Sequence, residues 1–148
     1  SRVSDDQEIR QKRARRFIEP LPHCRSQNMV LDDLADGDAL MSMPYEDKLV
    51  GDPATAVIQR GAVSSLMDTC GRTAVMAHSA GPYMTATLDL RIDYMRPATP
   101  GQTITARATC YHMTRSIAFV RAVAMDDDAE NPVASATGAF TVQGVAKA

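Results

Sequence analysis

The chain has 148 residues, enough for one domain with a real core. Sixteen Lys and Arg stand against eighteen Asp and Glu, for a formal charge of −2 and a pI near 5.9. So even a balance argues against nucleic acid as the main partner. No apolar run approaches a membrane span and no secretory leader is visible, so a membrane role is not expected and a cytoplasmic location is. The three cysteines, Cys24, Cys70 and Cys110, are odd in number and lack metal-ligand spacing. They read as small core residues of a reducing compartment.

Residues 4–19 carry helix signals. Ser4 can cap, Asp5 and Asp6 suit a first turn, and Gln7 completes a capping-box spacing. The dense run Arg10, Lys12, Arg13, Arg15, Arg16 reads as a solvated face balanced by Asp5, Asp6 and Glu8, the alternative being a patch for ligand phosphates. Pro20 and Pro22 end this segment. Residues 21–27 can form a short helical turn. Residues 29–34 and 39–43 read as strands around an Asp36-Gly37 turn. The stretch 45–58 holds Gly51 and Pro53 and reads as a surface loop of a length that usually carries function or an interface.

Residues 59–78 form the one clear long helix of the remaining chain. At about 100° per residue, Val63, Leu66, Met67, Cys70, Ala74 and Ala77 fall on one stripe, the core face. Ser64, Ser65, Asp68, Arg72, Val75 and Met76 fall off it, a mixture that suits a subunit interface or a pocket wall. Gly61 sits at the helix start, where backbone N–H groups lack partners and the dipole is positive. Asp68 lies two turns in. A helix start with a carboxylate near it can hold an oxyanion and activate a nucleophile. The plainer reading of Asp68 and Arg72 is an i,i+4 ion pair.

Everything after the helix reads as strand. Residues 83–96 alternate, with Ala86, Leu88, Leu90, Ile92 and Tyr94 on one face. Residues 103–112 alternate again. Residues 117–125 are apolar on both faces except for Arg121, as in a central strand. The acidic stretch 126–132 matches no calcium loop and reads as a solvated turn. Residues 133–142 form the last strand, with a frayed tail from Gln143. Four successive strands need a cover, and the long helix supplies it. The class is α+β, an antiparallel sheet wrapped around one central helix, with residues 1–20 as a helical segment and 21–148 as the domain.

The segments Leu49-Val50-Gly51-Asp52-Pro53, Gly61 with Leu66-Met67-Asp68-Thr69, Asp93-Tyr94-Met95-Arg96-Pro97-Ala98, Gly101 and Ala134-Ser135-Ala136-Thr137-Gly138 resemble the hotdog-fold thioesterases of the phenylacetate-degradation (PaaI-like) branch. The resemblance runs from about residue 21 to the C-terminus. It implies a hotdog fold and hydrolysis of acyl-coenzyme A thioesters without a metal, coenzyme A being part of the substrate and no cofactor needed. It also implies a homodimer or homotetramer with active sites at the subunit interface. On this resemblance Asp68 matches the helical nucleophile or general base, and Thr87 the strand hydroxyl. The N–H at the Arg60-Gly61 turn matches the group that polarises the thioester carbonyl. Gln59, Arg60, Asp52, Ser64 and Arg96 are the candidate substrate-binding residues.

One departure matters. The family carries histidine-glycine-glycine where this chain has Gln59, Arg60 and Gly61. Gln cannot titrate near neutrality, and an Arg there can contact a phosphate or carboxylate of a ligand. The expected function is therefore acyl-CoA thioester hydrolysis, of small aryl or medium-chain substrates, and its alternative is a hotdog module that binds an acyl ligand without turnover. A dehydratase of this fold would need an Asp/His pair at a spacing that is absent. No Gly-x-Ser-x-Gly elbow supports Ser64 or Ser65 as a nucleophile.

Overall fold

The computed structural model describes residues 2–18 and 21–145. Helices α1 (Arg2–Ile18) and α2 (Pro22–Ser26) precede a hairpin of β1 (Val30–Ala35) and β2 (Asp38–Met43). A 3-10 turn (Asp47–Leu49), β3 (Val50–Asp52) and β4 (Val57–Ile58) then lead into α3 (Arg60–Ala77). Strands β5 (Pro82–Met84), β6 (Thr87–Tyr94), β7 (Ile104–Met113), β8 (Ile117–Met125), β9 (Ala134–Thr141) and β10 (Gln143–Val145) follow. The main sheet is antiparallel in the order β1-β2-β7-β8-β9-β6 and wraps α3, chiefly through β2, β7 and β8. This is the expected α+β hotdog arrangement.

Burial of α3 holds the fold together. Twelve of its eighteen residues are buried, including the whole predicted stripe. Small groups let backbone approach backbone. The Cys70 thiol lies 3.4 Å from the carbonyls of Ala39 and Ala106, on two different strands, and burial pushes its pKa up to about 12. A Cβ on Gly71 would come within 2.9 Å of the Phe140 ring, itself fully buried. The Asp36-Gly37 turn forms as expected, with Gly37 at φ +74°.

Several expectations are corrected. Helix α1 starts at Arg2, so Ser4 lies inside it rather than at its cap, and the predicted end at residues 19–20 lies outside the described residues. Val75 and Met76, read as off-core, are buried because α1 packs on the C-terminal half of α3. Ala14 is fully buried there, and Arg13 donates to the Met76 carbonyl at 3.3 Å. The stretch 45–58 is a short hairpin of β3 and β4 rather than a bare loop. Its turn is tied by the Asp52 carboxylate, which accepts from the Ala54 amide at 3.0 Å.

The strand expected at 83–96 is two. Ala86 stands between β5 and β6, its amide donating to the Thr141 hydroxyl and its carbonyl accepting from the Thr141 amide. The register against β9 then shifts between Thr87 and Asp89. A one-residue slip swaps faces, so Thr85 is buried and Leu88 is 56% exposed, the reverse of simple alternation. The tail is not frayed from Gln143, because Gln143–Val145 pairs with Pro82–Met84 as a small ribbon.

The acidic stretch is not simply solvated. Asp126 is buried and takes two hydrogen bonds from Arg96, at 2.6 and 2.7 Å, and two from Thr99, at 2.9 and 3.0 Å. Arg96 also donates to the Asn131 carbonyl. These bonds, the Arg96 fork first, hold the Asp126 carboxyl far below the usual carboxylate range. Asp126→Asn is expected to cost about 2 kcal/mol at pH 7, roughly 5 °C in Tm, because a half-buried guanidinium loses its charge partner. The depressed carboxyl contributes stability that is complete above the unfolded-state value near pH 4 and is lost as pH falls below it. Thermal melts of both proteins should therefore converge as the pH drops below about 4.

Candidate active site

Helix α3 begins bare. Gln59 precedes it in an extended conformation (φ −63°, ψ 145°), fixed by its amide bonding to the Leu49 carbonyl at 2.8 Å, and no side chain caps the helix. The first amide to bond back is that of Ala62, to the Gln59 carbonyl at 3.1 Å. No acidic residue lies in the first turn. The N–H groups of Arg60 and Gly61 thus stand at the positive end of a buried helix without a capping group, a position suited to an oxyanion.

Beside this turn lies a cavity of about 630 Å³. Its walls are apolar, with Val57, Ile58, Val63, Pro97, Ala98 and Val133, and its polar lining includes Asp52, Gln59, Arg60 and Arg96. The structure therefore brings four of the five predicted substrate-binding residues to one cavity. Two of them are engaged locally: Arg96 by Asp126 and Asn131, and Asp52 by its own turn. Arg60 lies over the Tyr94 ring, 5.1 Å from its centroid, and the Tyr94 hydroxyl donates to the Arg60 carbonyl at 3.3 Å. Tyr94 was legible only as part of the family segment; its role in holding the helix start was not.

Asp68 belongs to a second cleft, of about 320 Å³, lined also by Ser64, Ser65, Thr69, Arg72, Leu90 and Ile92. The Thr87 hydroxyl donates to Asp68 Oδ1 at 2.5 Å, and Arg72 Nη2 lies 3.3 Å from Oδ2. The helical carboxylate and the strand hydroxyl, each singled out separately by the resemblance, meet in the structure. The ion pair is also present, so the two readings of Asp68 coexist on its two oxygens. Ser64, the fifth substrate-binding candidate, lines this cleft rather than the first and returns its hydroxyl to the Gly61 carbonyl at 3.0 Å.

No residue lines both clefts. Gly61 and Asp68 share a side of α3, but seven residues separate them by about 10 Å along the axis. A thioester carbonyl held by the Gly61 N–H would lie beyond attack range of the same chain's Asp68, since reacting atoms need to be within roughly 3.5 Å. Within one chain the two clefts therefore stand apart. Strand β6 runs beside them as the edge of the sheet, paired among the described residues only with β9, with Leu88 and the following Met95 more than half exposed.

Comparison with known proteins shows the family of the chain. The sequence profile of the thioesterase superfamily matches residues 57–133, from the last strand before α3 to the start of β9. The chain belongs to the thioesterase superfamily. Within it, the chain is 30% identical over 118 residues to a Halobacterium salinarum protein named "Putative esterase VNG_1336C", covering 76% of this chain and 78% of that one. A Pseudomonas aeruginosa crystal structure aligns with TM-score 0.79 at 35% identity, over 88% of this chain and 96% of that one. The E. coli PaaI protein from the phenylacetic acid degradation operon shares the fold, with TM-score 0.81 at 18% identity over 94% and 96%. So does the Streptococcus mutans protein smu.793, solved bound to acetyl CoA, with TM-score 0.70 at 20% identity over 81% and 92%. Among the described residues no group of three His, Cys, Asp or Glu is placed to hold a metal, and no helix is long and apolar enough to cross a membrane.

Gly61 gives the thioesterase reading a clean control. A Cβ placed on it meets no atom within 4 Å, and its φ is not positive. Gly61→Ala should leave stability unchanged or raise it by up to about 1 kcal/mol, as denaturant unfolding will read. A clear loss would mean that a contact within the chain requires the glycine.

Proposed function

We propose that this chain hydrolyses acyl-CoA thioesters in a site assembled from two copies, with the bare start of α3 from one and Asp68 with Thr87 from the other. The observation that carries the reading is the Asp68–Thr87 hydrogen bond, which fixes a carboxylate in an open cleft two helical turns from an uncapped helix start. The acetyl-CoA bound by the Streptococcus mutans neighbour supports a coenzyme A thioester as ligand. The free edge of β6 beside both half-sites supports a second copy as the partner.

In this arrangement the thioester carbonyl accepts from the Gly61 N–H, where negative charge develops. The partner copy's carboxylate takes a proton from water as the water oxygen attacks the carbonyl carbon. The tetrahedral intermediate expels the coenzyme A thiolate, which recovers that proton, and the carboxylic acid product leaves. Thiolate needs little acid help, since its conjugate acid titrates near pH 8.5. Thr87 holds one carboxylate oxygen and leaves the geometry of the other to Arg72. The second reading, binding without turnover, draws on Gln59 and Arg60, which replace the histidine and glycine of the family pattern at the cavity mouth.

Thiol release from a panel of aryl and medium-chain acyl-CoA thioesters separates the two. Asp68→Asn should lower kcat/KM by roughly 10²–10⁴-fold, and Thr87→Val by about tenfold, the worth of one hydrogen bond to a charged group. Saturable binding with no turnover above the Asp68→Asn level would establish the binder instead.

The shared site makes its own prediction. Asp68→Asn and Gly61→Val are each expected to be inactive. After subunit exchange in an equimolar mixture, roughly a quarter of all sites should combine an intact Asp68 with an intact Gly61, and activity should return to about that fraction. A mixture as inactive as its components would show that both groups act within one chain.

A further inference from the structure

Arg60 has no carboxylate partner among the described residues and stands beside the expected reaction centre. It lines the large cavity. The cavity's other cation, Arg96, is neutralised by Asp126. Among the described residues the one carboxylate in the cavity lining, Asp52, turns one oxygen onto the Ala54 amide. Tyr94 preorganises Arg60 twice, with its ring under the guanidinium and its hydroxyl on the Arg60 carbonyl. A guanidinium stacked on a ring keeps its edge N–H donors free for a planar anion such as a carboxylate.

Reach decides which anion. The guanidinium of Arg60 lies within about 7 Å of its own Cα, one residue from the Gly61 N–H, so it stands within roughly 10 Å of a carbonyl held there. In coenzyme A the uncharged pantetheine arm puts the first phosphate roughly 16 Å from the sulfur when extended. The phosphates of such a ligand lie out of range, and an anion in range belongs to the acyl group. Subtracting about 4 Å for the ion pair leaves roughly 6 Å between the thioester carbonyl and the charge, the span of two to four methylenes. The apolar wall of Ile58, Val63, Ala98 and Val133 suits those methylenes.

Resting on the acyl-CoA reading above, we infer that Arg60 is a specificity residue for acyl groups that end in a carboxylate, the monothioesters of short dicarboxylic acids. Binding is measured with non-hydrolysable CoA thioethers that keep the carbonyl one methylene from sulfur (S–CH2–CO–R), so the anchor is retained and the outcome does not depend on turnover. Calorimetry would compare a four-methylene chain ending in carboxylate with the same chain ending in carboxamide, on the wild type, Arg60→Met and Arg60→Gln. The wild type should prefer the carboxylate by about tenfold, the effect of one partly exposed charge-assisted pair, and both variants should lose that ratio. The same ratio in wild type and variants, a wild-type ratio near one, or no saturable binding of either thioether would each overturn the inference. The two variants remove the charge with different side chains, and thermal melts show that each is folded. Hydrolysis of the matching thioesters is assayed in parallel. Turnover without the carboxylate preference refutes this inference and keeps the hydrolase. Preference without turnover keeps it and refutes the hydrolase.

Discussion

Everything in this molecule depends on how closely the sheet can approach α3. The helix is enclosed along most of its length, and the enclosure works because small side chains face it: Ala106 and Ala108 from β7, Ala118, Ala122 and Ala124 from β8, and Gly71 on the helix itself against Phe140. Where strands come this near, a methyl group is the limit, and larger residues would force the layers apart. The polar consequences follow. A helix with so little free surface has few places for charge, so its outlets are its bare first turn and the short open stretch that carries Ser64, Ser65, Asp68 and Arg72. The charged side chains of the helix, Arg60, Asp68 and Arg72, stand at those two places because packing leaves no room for charge elsewhere.

The same enclosure explains what the sequence made legible. The stripe Val63, Leu66, Met67, Cys70, Ala74 and Ala77 has helical period, and all six residues are buried as the period demands. Strand β7 alternates from Ile104 to Cys110 because one face meets the helix, whereas β8, apolar on both faces in sequence, alternates only in its burial. What stayed hidden depends on partners distant in sequence. Val75 and Met76 look like surface until α1, about sixty residues away, lies on them. Arg96 and Asp126 are thirty residues apart, and nothing local marks Asp126 as buried rather than as the first of three solvated acids. The slip between Thr87 and Asp89 leaves no mark in the alternation, yet it reverses which side chains face out.

The candidate site was legible in its parts and not in its arrangement. Asp68, Thr87, Gly61 and the Gln59-Arg60 turn could be picked out by position, but the hydrogen bond between Asp68 and Thr87 appears only in the structure. Their division into two clefts follows from helix rise, which sets Gly61 and Asp68 two turns apart whatever surrounds them. Tyr94 ties the divided site back to the fold. It closes β6 at the end where Arg60 begins α3, and the next turn of chain is clamped by Arg96 on Asp126. An ion pair that serves stability thus also holds one wall of the cavity.

Two glycines on the same helix show how structural and functional needs can be separated. Gly71 is enclosed, and a Cβ there would strike Phe140 at 2.9 Å. Its small size is explained within one chain by packing. Gly61 is exposed, its φ is ordinary, and a Cβ there would touch nothing. Helix propensity alone would favour alanine at such a position by up to about 1 kcal/mol. The less stable residue stands at an uncapped turn next to the cavity that Gln59 and Arg60 line, and nothing within the described chain requires it, which fits the proposed approach of a ligand to that backbone. A thioester carbonyl is an atom group of that size and polarity, and a hydrogen bond to it needs an approach of about 3 Å, which a side chain at Gly61 would obstruct.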